Sequence, residues 1–185
     1  MNDTISQSRF WTIYESPLGP LTLVGGQSGL HALHFPERRG PLDDRARDDA
    51  LLAPAARQLA EYFAGRRRRF ELTLDLDGTP FQQQVWTHLS AIPYGTTRSY
   101  GALAHAMGRT GRARALGAAV GRTPVPIIVP CHRAVGANGA LTGYAGGLDR
   151  KRALLDLEAA AGGAAGGGAA GVPLPCRRRR SPATA

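Results

Sequence analysis

The stretch IIVPCHRAVGANG, residues 127–139, sets a β-branched run against a proline, a cysteine and a histidine, then breaks into glycine and asparagine. Ile127, Ile128 and Val129 read as a buried extended segment. Pro130 has no N–H and a fixed φ, so it ends that segment and starts a turn just before the thiol of Cys131. A free cysteine behind three aliphatic residues is ordinarily a small core hydrophobe. His132 offers the other reading, because an imidazole near a thiol can take its proton and leave a reactive thiolate. Neighbours in extended chain point to opposite faces, so a direct Cys131–His132 bond is not assured and the pair could need a bridging water.

Working outward, GANGALTGYAGG reads as a loop and LDRKRALLDLE as a closing helix. Upstream, Thr79-Pro80-Phe81-Gln82 combines a cap, a proline at the first helical position and a glutamine at the third, ahead of Phe81, Val85 and Leu89 on one face. Ser99 can cap a second helix, YGALAHAM, ending at Gly108, and Thr110 a third, GRARALGAAV, ending at Gly121. Two short helices at that spacing form a helix-turn-helix. Residues 10–35 alternate like a three-stranded meander with turns at SPLGP and GGQSG. Leu52, Ala56, Leu59 and Phe63 then mark a helix. Phe70, Leu72, Leu74 and Leu76 alternate with polar residues, which reads as a fourth strand. Residues 1–8 and the Ala/Gly/Arg-rich 159–185 have too little apolar variety to pack and are expected to be disordered.

The chain has 185 residues, 43% of them hydrophobic, enough for one domain or two small ones with a buried core. Lysine and arginine total 23 against 14 acids, a net charge of +9, and the balance stays positive without the tail arginines Arg177 to Arg180. That excess suits a polyanionic partner. Cys131 and Cys176 lie in unlike contexts, so no disulfide is expected. His31 and His34 stand three apart without a cysteine or third histidine nearby, and no metal is expected. With no signal sequence and no apolar run of spanning length, the chain is expected to be cytoplasmic, reduced and off the membrane.

The third helix carries Gly111, Ala113, Ala115, Gly117, Ala118 and Ala119, with Arg112 and Arg114 as its long side chains. An Ala-rich helix packed closely on a neighbour is one reading. Interior glycine costs about 1 kcal/mol relative to alanine, so close approach to another surface should compensate at Gly117. A major-groove reader presents several long polar side chains, whereas this slim profile suits the minor groove, with an arginine entering the base stack.

PCHR at 130–133, preceded by PVPIIV and followed by GANGALTGYAGG, resembles the active-site motif of the O6-alkylguanine-DNA alkyltransferases, or methylated-DNA-protein-cysteine methyltransferases. SPLGPLTLV, FQQQVW, IPYGTTRSYGALA and GGLDRKRALLDLE resemble that family in the expected order, over about residues 9–158. The resemblance implies an α+β fold: a small RNase H-like sheet and helix domain over 9–76, then a mostly helical winged helix-turn-helix domain over 77–158. It implies a cofactor-free, monomeric repair protein that acts on double-stranded DNA containing alkylated guanine.

By that resemblance, Cys131 accepts the alkyl group from O6 of guanine by in-line displacement and keeps it, so one protein is consumed per lesion. O4-alkylthymine is left open as a second substrate. His132 would deprotonate Cys131 through a water, with Glu158 orienting the imidazole. Glu158 falls on the apolar stripe of the last helix, although a helix-end glutamate is more often solvated. Tyr100 resembles the tyrosine that protonates the departing guanine and helps rotate the nucleotide. Arg114 matches the arginine that fills the gap left by the flipped base, a device needed to reach O6 within a stacked pair. Arg112 would meet phosphate, and Ala113, Ala115 and Gly117 would face the DNA. Tyr144 with Gly143, Ala145 and Gly146 resembles the pocket loop, beside Pro130 and Thr123.

The family usually has asparagine just before PVPI, where this chain has Thr123. Threonine lacks the amide's paired donor and acceptor, so the brace there is expected to be looser, which bears on rate more than on reaction type. Three rivals remain: a non-catalytic alkyltransferase-like recognition module, a Cys-His hydrolase needing an oxyanion site and a water path, and a helix-turn-helix transcriptional regulator. The tail arginines should add sequence-independent DNA affinity. Deleting residues 159–185 is expected to flatten the salt dependence of DNA binding, and an unchanged slope would remove the tail from the interface.

Overall fold

The computed structural model describes residues 9–162. The expectations for residues 1–8 and 163–185, including Cys176 and Arg177 to Arg180, lie outside the described residues. Strands β1 (Phe10–Ser16), β2 (Gly19–Gly26) and β3 (Gly29–His34) form an antiparallel sheet in the order β1-β2-β3. Trp11, Leu21, Leu23, Leu30 and Leu33 are buried from it. Helix α1 (Asp49–Phe63) starts at an Asp48 cap that accepts from the Leu51 N–H, and lays Leu52, Ala55, Leu59 and Tyr62 into the core. That buried face includes Ala55 and Tyr62, whereas Ala56 and Phe63 are half-buried.

The alternating segment at 70–76 is extended but is not a fourth strand. It meets β3 in a single parallel bridge between Leu30 and Leu74, with Leu30 N donating to Thr73 O at 2.9 Å and Asp75 N to Leu30 O at 3.0 Å. Phe70, Leu72, Leu74 and Leu76 pack against the core from there. Alternation reports a buried face, and burial here is achieved by side-chain packing with little ladder pairing.

The second half is helical. Helix α2 (Pro80–Ser90) begins in the expected capping box, Thr79 with Gln82. The short strand β4 (Arg98–Ser99) leads into α3 (Tyr100–Ala106), capped by Ser99 Oγ on the Ala102 N–H. Helix α4 (Ala113–Gly121) has Arg112 at its cap position and no side-chain cap, which corrects the assignment to Thr110. Gly111, at φ +84°, turns the chain between Thr110 and the helix, so the hydroxyl lies too early to serve it. Trp86 Nε1 donates to Ala119 O at 3.1 Å and fixes α2 against α4.

The 127–129 run is buried but is not an extended strand. Pro124, Pro126 and Pro130 flank it without a backbone donor, Ile127 takes φ +75°, and Val129 N returns to Val125 O at 2.9 Å. The chain therefore coils through tight turns before a 3-10 turn, Cys131–Arg133, and strand β5 (Ala134–Val135), which pairs parallel with β4. Helix α5 (Leu148–Gly162) closes the fold and continues four residues beyond the expected start of the disordered tail. The two halves share a core, and Leu33 N donates to Pro124 O at 2.8 Å between β3 and the proline turns. Among the described residues no helix is long and apolar enough to cross a membrane.

Gly29 enters β3 at φ +132°, and a Cβ there would stand 2.5 Å from Thr73 O. Gly29→Ala is expected to pry residues 73–75 off β3 and lower stability by about 2–4 kcal/mol, read as a fall in the urea midpoint.

Candidate active site

The 3-10 turn after Pro130 presents Cys131 and His132 inward together. Cys131 is 2% exposed and His132 0% exposed. Their placement on a turn, rather than on an extended strand, removes the opposed geometry expected of neighbouring strand residues. Burial pushes the Cys131 thiol up to about 11, with the Thr123 hydroxyl and the Lys151 ammonium pulling the other way. The resting thiol is therefore protonated at neutral pH.

His132 Nε2 lies 2.9 Å from Oε1 of Glu158. Facing a carboxylate, Nε2 carries the ring proton and donates it, which leaves Nδ1 as the acceptor. Nδ1 is buried and has no hydrogen-bond partner among the described residues. Burial lowers the His132 pKa, against the opposing hydrogen bond and charge of Glu158. The site thus holds a neutral imidazole on the same turn as a neutral thiol.

Glu158 is fully buried on α5, one turn after Leu154. Its Oε1 accepts from Tyr62 Oη at 2.8 Å, His132 Nε2 at 2.9 Å and Arg133 Nη2 at 2.8 Å, and its Oε2 from Arg133 Nε at 2.9 Å and Gly95 N at 3.0 Å. Burial would raise this carboxyl, but hydrogen bonds from His132 and Arg133, with the Arg133 charge, outweigh it and hold it well below the usual carboxylate range. Arg133 Nη1 also donates to Ile92 O at 2.6 Å.

A cavity of about 540 Å³ opens beside this cluster. Tyr100, Thr142, Gly143, Tyr144 and Ala145 form one wall, Ala113, Arg114, Gly117 and Gly121 of α4 form another, and Arg38 reaches in from the 36–38 turn. The volume is that of a site for one small molecule or one base. Cys131 does not line the cavity, but as a thiolate it would raise the pKa of both Tyr100 and Tyr144 in that wall. Burial pushes the Tyr100 hydroxyl up, leaving it a proton donor at neutral pH. The Tyr144 hydroxyl is buried without a partner among the described residues. Lys151 is fully buried, donates from Nζ to Ala134 O at 2.6 Å and Thr142 O at 2.8 Å, and stands 5.9 Å from the Tyr100 ring centroid.

The structure brings together Cys131, His132 and Glu158, and sets Tyr100, Tyr144, Gly143, Ala145, Ala113, Arg114 and Gly117 around the cavity. Three expected pocket residues lie elsewhere. Gly146 packs on Phe35, where a Cβ would stand 2.7 Å from the ring, so it seats the loop. Pro130 is buried beneath the thiol turn, and Thr123 is buried with Oγ1 donating to Val120 O at 2.7 Å. Ala115 and Arg112 are exposed on α4, away from the cavity wall. Sequence reasoning missed Tyr62, Arg133, Lys151, Thr142 and Arg38. Lys151 shares the buried stripe of α5 with Leu154 and Glu158, a visible signal; Tyr62 lies 96 residues from its partner and has none. Among the described residues no group of three or more His, Cys, Asp or Glu side chains is placed to hold a metal ion.

Two family models match, the ribonuclease-like domain of 6-O-methylguanine DNA methyltransferase over residues 10–76 and its DNA-binding domain over 80–160. The methylated-DNA–protein-cysteine methyltransferase of Mycobacterium bovis is 51% identical over 146 residues, covering 78% of this chain and 88% of the relative. That of Methanosarcina acetivorans is 45% identical over 152 residues, covering 80% and 97%. The crystal structure of Mycobacterium tuberculosis OGT in complex with DNA is 49% identical, with a TM-score of 0.77 over 82% of this chain and 94% of that one. An O6-methylguanine DNA methyltransferase from Methanococcus jannaschii is 27% identical, with a TM-score of 0.58 over 80% and 93%. With its two halves matched in order and its cysteine turn intact, the chain belongs to the 6-O-methylguanine DNA methyltransferase family.

Proposed function

We propose that this chain, a methylated-DNA–protein-cysteine methyltransferase, repairs double-stranded DNA by moving the alkyl group from O6 of guanine to Sγ of Cys131. The observation that carries this reading is a buried, protonated thiol on the same turn as a neutral histidine whose Nδ1 lone pair has no partner among the described residues.

The proton of Sγ passes, through one water, to Nδ1 of His132, and Glu158 stabilises the imidazolium. The sulfur then forms its bond to the alkyl carbon while the carbon–O6 bond breaks, its electron pair going to the guanine. The Tyr100 hydroxyl gives its proton to that guanine, and the resulting phenolate faces the Lys151 ammonium, 5.9 Å from the ring centroid. Imidazolium and phenolate balance, so the pocket's net charge does not change. A thioether is not hydrolysed, and one molecule serves one lesion.

The target base must leave the stack to reach this depth. Helix α4 suits a close approach to the minor groove: a Cβ added at Gly117 would meet nothing within 4 Å among the described residues, so packing within the protein gives no reason for glycine there. Arg114 rises from that bare face at the cavity rim. It fills the space of the extruded base, while Arg112 meets phosphate. We read the chain as a cytoplasmic monomer, where the thiol stays reduced.

Intact mass after incubation with a duplex carrying one O6-methylguanine is expected to rise by one methyl group, map to Cys131 and stop at one equivalent, with no gain in Cys131→Ser. Binding of the lesion without a mass gain would replace this reading with a recognition module. Arg114→Ala is expected to slow transfer from duplex DNA by 10-fold or more, in order of magnitude, and barely change transfer from free O6-benzylguanine. Equal slowing of both would remove Arg114 from base flipping.

A further inference from the structure

The transfer written above calls on no residue of the ribonuclease-like domain, yet that domain places a side chain against the carboxylate that orients His132. Tyr62, on α1, is fully buried and donates to Glu158 Oε1 at 2.8 Å, the same oxygen that receives His132 Nε2 at 2.9 Å. We propose that Tyr62 is a positioning residue of the proton relay: by sharing Oε1 with His132 it sets how tightly the imidazole holds the proton taken from Cys131. The inference rests on reading His132 as the base for Cys131.

The direction of the bond is settled by chemistry. A carboxylate only accepts, so Tyr62 donates, and burial with the neighbouring charge of Glu158 raises its own pKa well beyond the normal range. Its orientation is held by aromatic contacts, with Phe63 and Tyr94 edge-on at centroid separations of 5.4 and 6.0 Å and Phe70 tilted at 5.4 Å. Glu158 does not need this donor for neutrality or for saturation. Arg133 already neutralises it through both oxygens, and Gly95 N completes Oε2. A phenylalanine at position 62 would keep the ring packing and spare the hydroxyl its desolvation. What the hydroxyl adds is a third donor on the oxygen facing His132.

Each donor on a carboxylate oxygen draws off part of its charge, so the oxygen pulls less strongly on any one partner. Without the Tyr62 hydroxyl, Oε1 would bind the imidazolium more tightly, and His132 would hold its proton to higher pH. The other charged or titratable groups bearing on His132 are Arg133 on its own turn and Glu158 and Lys151 on α5. Around Glu158 they include Tyr94, which Arg68 and Arg133 overlie. A Tyr62→Phe change leaves all of these in place.

The test is the single-turnover rate of methyl transfer from an O6-methylguanine duplex across about pH 5 to 9, for the full chain and for Tyr62→Phe. The native rate should fall on the acid side as His132 takes up a proton and can no longer accept one from Cys131. In Tyr62→Phe that acid limb should move up by about half to one pH unit, a loss of roughly 3- to 10-fold at a pH on the limb, with the plateau, melting temperature and affinity for undamaged duplex little changed. A 3-fluorotyrosine placed at position 62 alone, a stronger donor of nearly the same shape, should move the limb down. A limb that coincides with the native one in both variants, or a rate lowered by one factor at every pH, would overturn the inference and leave the His132 reading intact. A native enzyme with no acid limb would overturn that reading, and this inference with it.

Discussion

One buried carboxylate organises the molecule. Glu158 receives five hydrogen bonds from four residues that come from different parts of the chain: α1, the loop before β4, the thiol turn and, through Arg133, the same turn again. A charge taken out of water costs several kcal/mol, and the attraction of a partner offsets that cost only when every lone pair is satisfied. Satisfying Glu158 therefore requires α1 to dock on α5, residues 92–95 to lie over Arg133, and His132 to face inward. Dry packing alone would accept several arrangements of these elements; the carboxylate accepts one. Buried polar clusters of this kind specify geometry more than they add stability.

The same cluster explains why a thiol can be both inert and reactive. Burial holds Cys131 protonated at neutral pH, with a pKa of about 11. Such a thiol is a poor nucleophile and a poor target for oxidants, since both reactions favour the thiolate. In the proposed transfer its reactivity is lent by His132, which is neutral in its buried setting yet stands against a carboxylate able to stabilise an imidazolium.

The cavity lies between the bare face of α4 and the 142–145 loop. The α4 face is bare, with alanine and glycine where a base-reading helix would carry long polar side chains, and Arg114 stands at its rim. The opposite wall is a loop seated by Gly146 on Phe35 and tied by Lys151 to the carbonyls of Ala134 and Thr142. Arg150 adds a clamp between halves, donating to Glu37, Leu18 O and Gly146 O. The N-terminal domain thus holds both the cavity loop and Glu158.

The meander, the capping box at Thr79 and the helix-turn-helix were legible because each depends on residues near one another in the chain: a turn, a cap, a periodic face. The Cys131-His132 pair was legible for the same reason, as was the place of Glu158 on the stripe of α5. Local pattern misled where the chain satisfied its burial without its usual hydrogen bonds. Residues 70–76 alternate without joining a ladder, and 127–129 are β-branched yet coiled, because prolines close in on both sides, Ile127 takes a positive φ and Val129 N turns back to Val125 O. Tyr62 and Arg133 on Glu158, Lys151 on two loop carbonyls and Arg38 at the cavity mouth followed no local rule. Sequence by itself determined which elements form and which side chains could react. Tertiary structure decided the partners, because a hydrogen bond across 96 residues depends on how the two halves pack and has no periodicity to announce it.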